Sequence, residues 1–132
     1  MIFPSQQSTE EKLIVIVMTT GPSVPHRCAT PFFLGSVLAA MDAPVHIFLT
    51  MDGVELMRKG VAERLSARPG GRTIIEFIRD AKNAGVKLHI CNPALPGYEI
   101  DVTKDIIEEV DYIDGAGVLA DLIISCDKVL TF

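Results

Sequence analysis

The 132-residue chain has room for one domain and one core, so a second catalytic domain does not fit. Its formal net charge of −5 leaves no basic footprint for a nucleic-acid backbone or an anionic bilayer. Hydrophobic residues make up 48% of it, a high share for so small a protein, and part of that surplus is expected to meet another subunit.

Met1 to Lys12 lacks the basic start and apolar centre of a signal peptide and reads as a flexible N-terminal arm, residues 1–12, ahead of a single α/β domain over 13–132. Leu13 to Thr20 (LIVIVMTT) is a nearly continuous apolar, β-branched run, the pattern of a central strand covered on both faces. Gly21, Pro22 and Pro25 break it. Thr30 as N-cap and Pro31 at the first helical position then open a helix to about Met41, apolar almost all round and expected to be buried on two sides. Val45 to Thr50 (VHIFLT) is the second strand. A short helix is expected from Asp52, with Glu55 as its capping-box partner and Gly60 as its end.

From Val61 to Arg72 the chain carries Arg64, Arg68, Pro69, Gly70, Gly71 and Arg72, a turn-rich, basic stretch and a candidate mobile lid. Thr73 and Glu76 form a second capping box, and Ile74, Ile75, Phe77, Ile78 and Ala81 make a helical stripe that ends at Gly85. Val86 to Cys91 (VKLHIC) alternates into a third strand, stopped by Asn92-Pro93. Thr103 to Glu109 reads as a short helix and Asp111 to Ile113 as a short strand. Asp114 is expected to cap a helix through Ala116, Leu119, Leu122 and Ile123, and Lys128 to Phe132 is the last strand.

Strands alternating with helices of this length predict a doubly wound, mostly parallel five-stranded sheet with right-handed crossovers and helices on both faces. The flavodoxin-like order 2-1-3-4-5 is the expected arrangement, with a ligand site at the switch point between strands one and three. In that arrangement Cys91 ends strand three, Cys28 lies in the loop leaving strand one, and Cys126 sits at the opposite edge as core filler. Three cysteines are an odd, sparse set, which favours free thiols in a reducing, cytoplasmic setting over a disulfide framework.

A thiol at a strand's carboxyl end can see aligned backbone amides that favour the reactive thiolate, and Cys91 fits best; the alternative is a small buried hydrophobe. Cys28 is the auxiliary candidate. His26 and Cys28, like His89 and Cys91, form H-x-C pairs, but compact zinc sites show tighter paired spacing and no metal is expected. His89 is either a general base or a core histidine with a satisfied ring. No phosphate-cradling glycine loop is present, so no cofactor is expected. The seven carboxylates from Glu99 to Asp114 read as a solvated face, and no nucleophile elbow supports a serine hydrolase.

The strand-one run, "FFLGSVLAAM", "VHIFLTMDGVELM", "NAGVKLHIC" and "ADLIISCDKVLTF" together resemble the DsrE/DsrF-like family of sulfur-relay proteins over nearly the whole chain from Leu13. The most specific pieces are the strand and "DGV" step at Phe48 to Val54 and the glycine, strand and cysteine at Gly85 to Cys91. The resemblance implies that Cys91 accepts sulfane sulfur as a persulfide or thiosulfonate and passes it to a small TusA-like carrier protein. It also implies homotrimers or homohexamers. Chemistry adds thiosulfate or polysulfide as donor, with Asn92, Arg64, Arg68 and Arg72 as substrate-binding candidates. A non-catalytic ligand-binding or assembly module of the same fold is the alternative, and the sequence does not separate an enzyme from a carrier.

Overall fold

Runs of β-branched residues pack well on a pleated surface, and here they supply the middle of the sheet. In the computed structural model, which describes residues 12–132, the strands are Ile14–Met18 (β1), Val45–Leu49 (β2), Lys87–Cys91 (β3), Tyr112–Asp114 (β4) and Lys128–Thr131 (β5). All pair in parallel. The helices are Thr30–Ala40 (α1), Ile74–Asn83 (α2) and Ala116–Ser125 (α3). The expected N-terminal arm, apart from Lys12, lies outside the described residues.

The α/β class and the five parallel strands agree with the sequence reading, but the strand order is β4-β3-β2-β1-β5 rather than 2-1-3-4-5. The cause is helix packing. In a 2-1-3 order, right-handed crossovers would put α1 and α2 on opposite faces; instead the two helices pack on each other, and Ile74, Ile75, Ile78 and Ala81 of α2 share one core with Phe32 of α1. Two successive crossovers on one face must step the same way, so β3 docks beyond β2. The return from β4 to β5 runs in the opposite sense, and right-handedness sends α3 over the other face.

Alternation divides the strands cleanly. Ile14, Ile16, Met18, Val45, Ile47, Leu49, Leu88 and Ile90 enter the core beneath α1 and α2. Val15, Phe48, His46 and His89 therefore face the other way. At Gly35 an added Cβ would come within 3.2 Å of Ile47 Cδ1, so α1 lies close on β2. Its Phe33 and Val37, and Met41 just past its end, are exposed, which corrects the expectation of burial on two sides. Apolar side chains also stand exposed on α3, among them Val118, Ile123 and Ile124.

The capping box of α2 forms as read, with the Thr73 N–H donating to Glu76 Oε2 at 2.9 Å. Two expected helices do not. The segment after β2 is a 3-10 helix, Met51–Met57, that follows Thr50 without a side-chain cap bond, and the expected box of Asp52 and Glu55 does not form: Asp52 accepts from the Tyr98 hydroxyl and Glu55 from Arg58. Residues 103–109 form turns: Asp101 Oδ1 takes the Thr103 N–H at 2.8 Å and its hydroxyl at 2.7 Å, which diverts the donors a helix would use. Ile107 N then donates to Met57 O at 2.9 Å and fastens this stretch to the turn beyond β2.

Candidate functional site

The carboxyl edge of the sheet is held in shape by two glycines. A Cβ on Gly21 would lie 2.2 Å from the Asp52 carbonyl oxygen, and one on Gly53 would lie 2.6 Å from that of Met18, so the segments beyond β1 and β2 interlock where only glycine fits. Beyond β3 the chain turns through Asn92–Ala94 and Pro96–Tyr98. Arg58 donates to the Tyr98 carbonyl, and the Tyr98 hydroxyl donates to Asp52, so the segment following Cys91 is tied to the segment following β2.

Cys91 ends β3, half-buried, with Asp114 of β4 as its register partner. Asn92 is exposed directly beyond it. Residues two apart in a strand share a face, so the backbone at Cys91 follows that of His89 on the side away from α1 and α2, while the Cys91 side chain, at the strand's end, also packs against the core beneath those helices. His89 is buried, and both of its ring nitrogens are occupied: Nδ1 lies 2.6 Å from Asp114 Oδ2 and Nε2 lies 2.7 Å from Nδ1 of His46. It is thus a satisfied histidine, with neither nitrogen free to act as a general base on the thiol. Phe48 stacks on its ring at 5.7 Å, and Tyr112 tilts against it at 4.7 Å.

Proton placement follows from the acceptor at the end of this chain. An ionised Asp114 can only accept, so His89 carries its proton on Nδ1; His89 Nε2 is then an acceptor, and His46 donates to it from Nδ1. That leaves a lone pair on Nε2 of His46, which has no partner among the described residues. Burial, followed by the neighbouring His89 and Lys87, holds the His46 imidazole below the ordinary histidine value, against the opposing pull of Asp111. Sequence reading missed both His46 and Asp114. His46 was simply part of a strand, and Asp114 was expected to cap α3, a place that Gly115 takes.

The other thiols part company with Cys91. Cys28 is fully buried, its Sγ 3.3 Å from the Gly21 carbonyl oxygen and 3.4 Å from that of Val24, and burial pushes its pKa up to about 11. A protonated, enclosed thiol is a core side chain, and this removes Cys28 as an auxiliary nucleophile. With Cys28 inside and His26 exposed, the first H-x-C pair forms no ligand set. Cys126 is half-buried and bonds back to Ile123 O at 3.2 Å, so it caps the end of α3 rather than filling the core.

The basic stretch divides as well. Arg64 and Arg68 line an open cleft of about 480 Å³ together with Pro25 and His26 from the segment after β1, which brings this loop to the carboxyl edge of the sheet. Arg72 is directed elsewhere: it pairs with Asp80 at 2.7 Å and lies 4.7 Å over the Phe77 ring. The loop is pinned by a bridge between Ser66 and Thr73 and by the Ile74 N–H on the Leu65 carbonyl at 2.7 Å, so a lid hinged along its whole length does not fit. The carboxylates of 99–114 are a solvated face only in part: Glu99, Asp101 and Glu108 are exposed as expected. Glu109 pairs with Arg79, while Asp111 accepts from Lys82 and from the Leu88 N–H. Burial would raise the Asp111 carboxyl, but these two donors outweigh it and hold the group below the usual carboxylate value.

Among the described residues, no helix is long and apolar enough to cross a membrane. Several solved structures share this fold. The ychN protein of E. coli superposes with a TM-score of 0.75 and 26% identity, covering 92% of this chain and 99% of that one. Protein MTH1491 of Methanobacterium thermoautotrophicum, described as of unknown function, gives 0.63 at 13% identity over 93% of this chain and 100% of its own. A curated relative, the uncharacterized protein MJ0760 of Methanocaldococcus jannaschii, is 31% identical over 78 residues, which is 59% of this chain and only 28% of that protein. The model of the DsrE/DsrF-like family matches residues 12–132, and the chain belongs to that family.

Proposed function

We propose that the protein is a sulfur carrier or sulfurtransferase in which Cys91 holds the sulfur. The observation that carries this reading is a half-buried cysteine at the carboxyl end of β3, one strand in from the β4 edge, in a chain of the DsrE/DsrF-like family. With thiosulfate as donor, the Cys91 thiolate attacks the outer sulfur. A new S–S bond forms to Cys91, the donor's S–S bond breaks, and sulfite departs with the electron pair. The persulfide then gives its outer sulfur to the thiolate of a small TusA-like carrier protein and returns Cys91 to the thiolate. Arg64 and Arg68, in their cleft beside His26, are suited to draw in an anionic donor, while Asn92 lies next to the reacting sulfur. A reducing compartment such as the cytoplasm would keep Cys91 a free thiol, ready to be loaded.

The exposed apolar side chains of α1 and α3 support assembly of copies into a homotrimer or a homohexamer. Light scattering at micromolar concentration tests this, and a stable monomer would remove it.

Incubation with thiosulfate or polysulfide, followed by intact mass measurement, tests the chemistry. One added sulfur is expected on the wild type and none on Cys91→Ser; an unmodified wild type, under conditions that load a known carrier, would end the proposal. Replacing Arg64 and Arg68 by glutamine should slow loading from thiosulfate more than from a neutral sulfane donor and weaken the salt dependence of the rate.

A further inference from the structure

Asp114, His89 and His46 run diagonally across the face of the sheet away from α1 and α2, and the strand register fixes the path. Cys91 pairs with Asp114, His89 pairs with both Tyr112 and Phe48, and His46 pairs with Lys87. The chain of hydrogen bonds, 2.6 Å and then 2.7 Å, therefore starts beside Cys91 and ends four residue levels lower, on β2, at Nε2 of the half-buried His46, which has no hydrogen-bond partner among the described residues. A lone core histidine needs one partner on each nitrogen. Two imidazoles in series, terminated by a carboxylate, form a longer object.

We propose that Asp114, His89 and His46 act as a proton relay between solvent and the edge of the sheet where Cys91 stands. The relay has two hydrogen-bonded orientations. In the first, Asp114 is ionised and both histidines carry their proton on Nδ1. A proton arriving at His46 Nε2 lets the His46 Nδ1 proton pass to His89 Nε2 and the His89 Nδ1 proton pass to Asp114 Oδ2. Each ring ends with one proton, now on Nε2, and Asp114 ends neutral. The reverse passage moves a proton from the Asp114 end out to solvent through His46, and that is the route offered to the proton a thiol must lose before it attacks. Uptake of one proton changes the charge of the unit from −1 to 0, wherever along the relay that proton comes to rest.

The surroundings allow this change to reach Cys91. Val15 faces the unit from β1 and is apolar, Lys87 stands beside His46 on β3, and Phe48 and Tyr112 cover His89. Asp111, just before β4, is already engaged by Lys82, and the titratable side chain that α3 carries, Asp121, is exposed. A carboxylate opposite Cys91 disfavours a second negative charge there, and neutralising it relieves that effect. The inference takes Cys91 as the reacting group, as proposed above, but its test involves no sulfur transfer, so the two can fail separately.

The test is the rate of alkylation of Cys91 by iodoacetamide between pH 5 and 8.5, read by peptide mass mapping so that Cys28 and Cys126 do not contribute. For the wild type, the plot of log rate against pH should break in the histidine range, with acid-side rates about three-fold above the line extended from high pH. That factor is what one unit charge roughly 8 to 10 Å away gives in a medium between protein and water. His46→Gln, which keeps a donor for His89 but cannot titrate, should give one straight limb. Asp114→Asn should also lose the break and react about three-fold faster at high pH. Parallel profiles for wild type and His46→Gln would overturn the relay. Should the variants fail to fold, long-range proton–nitrogen correlation on the labelled wild type decides: Nδ1–H on both rings at pH 8 is the expected result, and Nε2–H on His46 overturns it.

Discussion

Removing the carboxylate of Asp114 isolates a buried donor. The His89 side chain is 5% exposed and its Nδ1 sits 2.6 Å from Asp114 Oδ2, so in Asp114→Ala that N–H loses its acceptor with almost no water to replace it. An unsatisfied buried donor costs about 1–3 kcal/mol. Asp114→Asn keeps a carbonyl acceptor and gives up only the charge, so it should cost about half as much. For a protein of this size, each kcal/mol lowers Tm by roughly 4 °C, so the alanine variant should melt about 4–12 °C lower and the asparagine variant about 2–6 °C lower. Thermal circular dichroism at fixed protein concentration, with urea titration as a second measure, reads the difference. Both variants within 1 °C of wild type, or asparagine worse than alanine, would refute the bond assignment.

Three further outcomes follow from the same structure. Gly21→Ala should fail to yield stable protein, or should lose about 3 kcal/mol in urea unfolding, because its Cβ would meet the Asp52 carbonyl oxygen at 2.2 Å and backbone cannot rotate aside; a wild-type midpoint would be inconsistent with this interlock. Cys28 should stay unlabelled by a thiol reagent at pH 8 in the native protein and become labelled in denaturant, since its pKa of about 11 and its burial both suppress the thiolate; native labelling of Cys28 would contradict the placement. His46 has a folded pKa below the unfolded reference of 6.5, so the unfolded state binds its proton first: stability should be full above about pH 6.5 and fall as pH drops through the folded value. His46→Gln should flatten that part of the pH–stability curve, and an unchanged slope would show that another group sets it.

What the sequence made legible was local. The β-branched run of β1, the capping box at Thr73 and Glu76 and the stop at Asn92-Pro93 are each decided by neighbours within a few residues, and each formed as read, to within a residue or two. What it hid was settled over longer distances. Asp52 and Asp114 are both sensible N-caps by type and position, yet each is claimed by a partner far along the chain, Tyr98 and His89 respectively. Cys28 looked like a loop thiol because its segment is a loop. Its burial comes from the folding of that loop onto the carboxyl ends of the strands, where the Gly21 and Val24 carbonyls accept its S–H. Arg72 belonged to a basic cluster in sequence, but Asp80 and Phe77, on the next helix, decide where it points.

Strand order is the step on which the site depends. Parallel neighbours lie about 4.8 Å apart, so in a 2-1-3-4-5 sheet β1 would separate β2 from β3 by roughly twice that distance, and no histidine on β2 could reach one on β3. Asp114 and His89 would still meet, because β3 and β4 are adjacent in either order, but the second imidazole would be missing. The packing of α1 on α2 that moves β3 beyond β2 thus also brings His46 to 2.7 Å from His89. The apolar stripe of α2, a feature of stability, determines which polar side chains share the opposite face. A core substitution that loosens α2, such as Ile78→Ala beneath the helix, would therefore act on the relay without touching any of its three members.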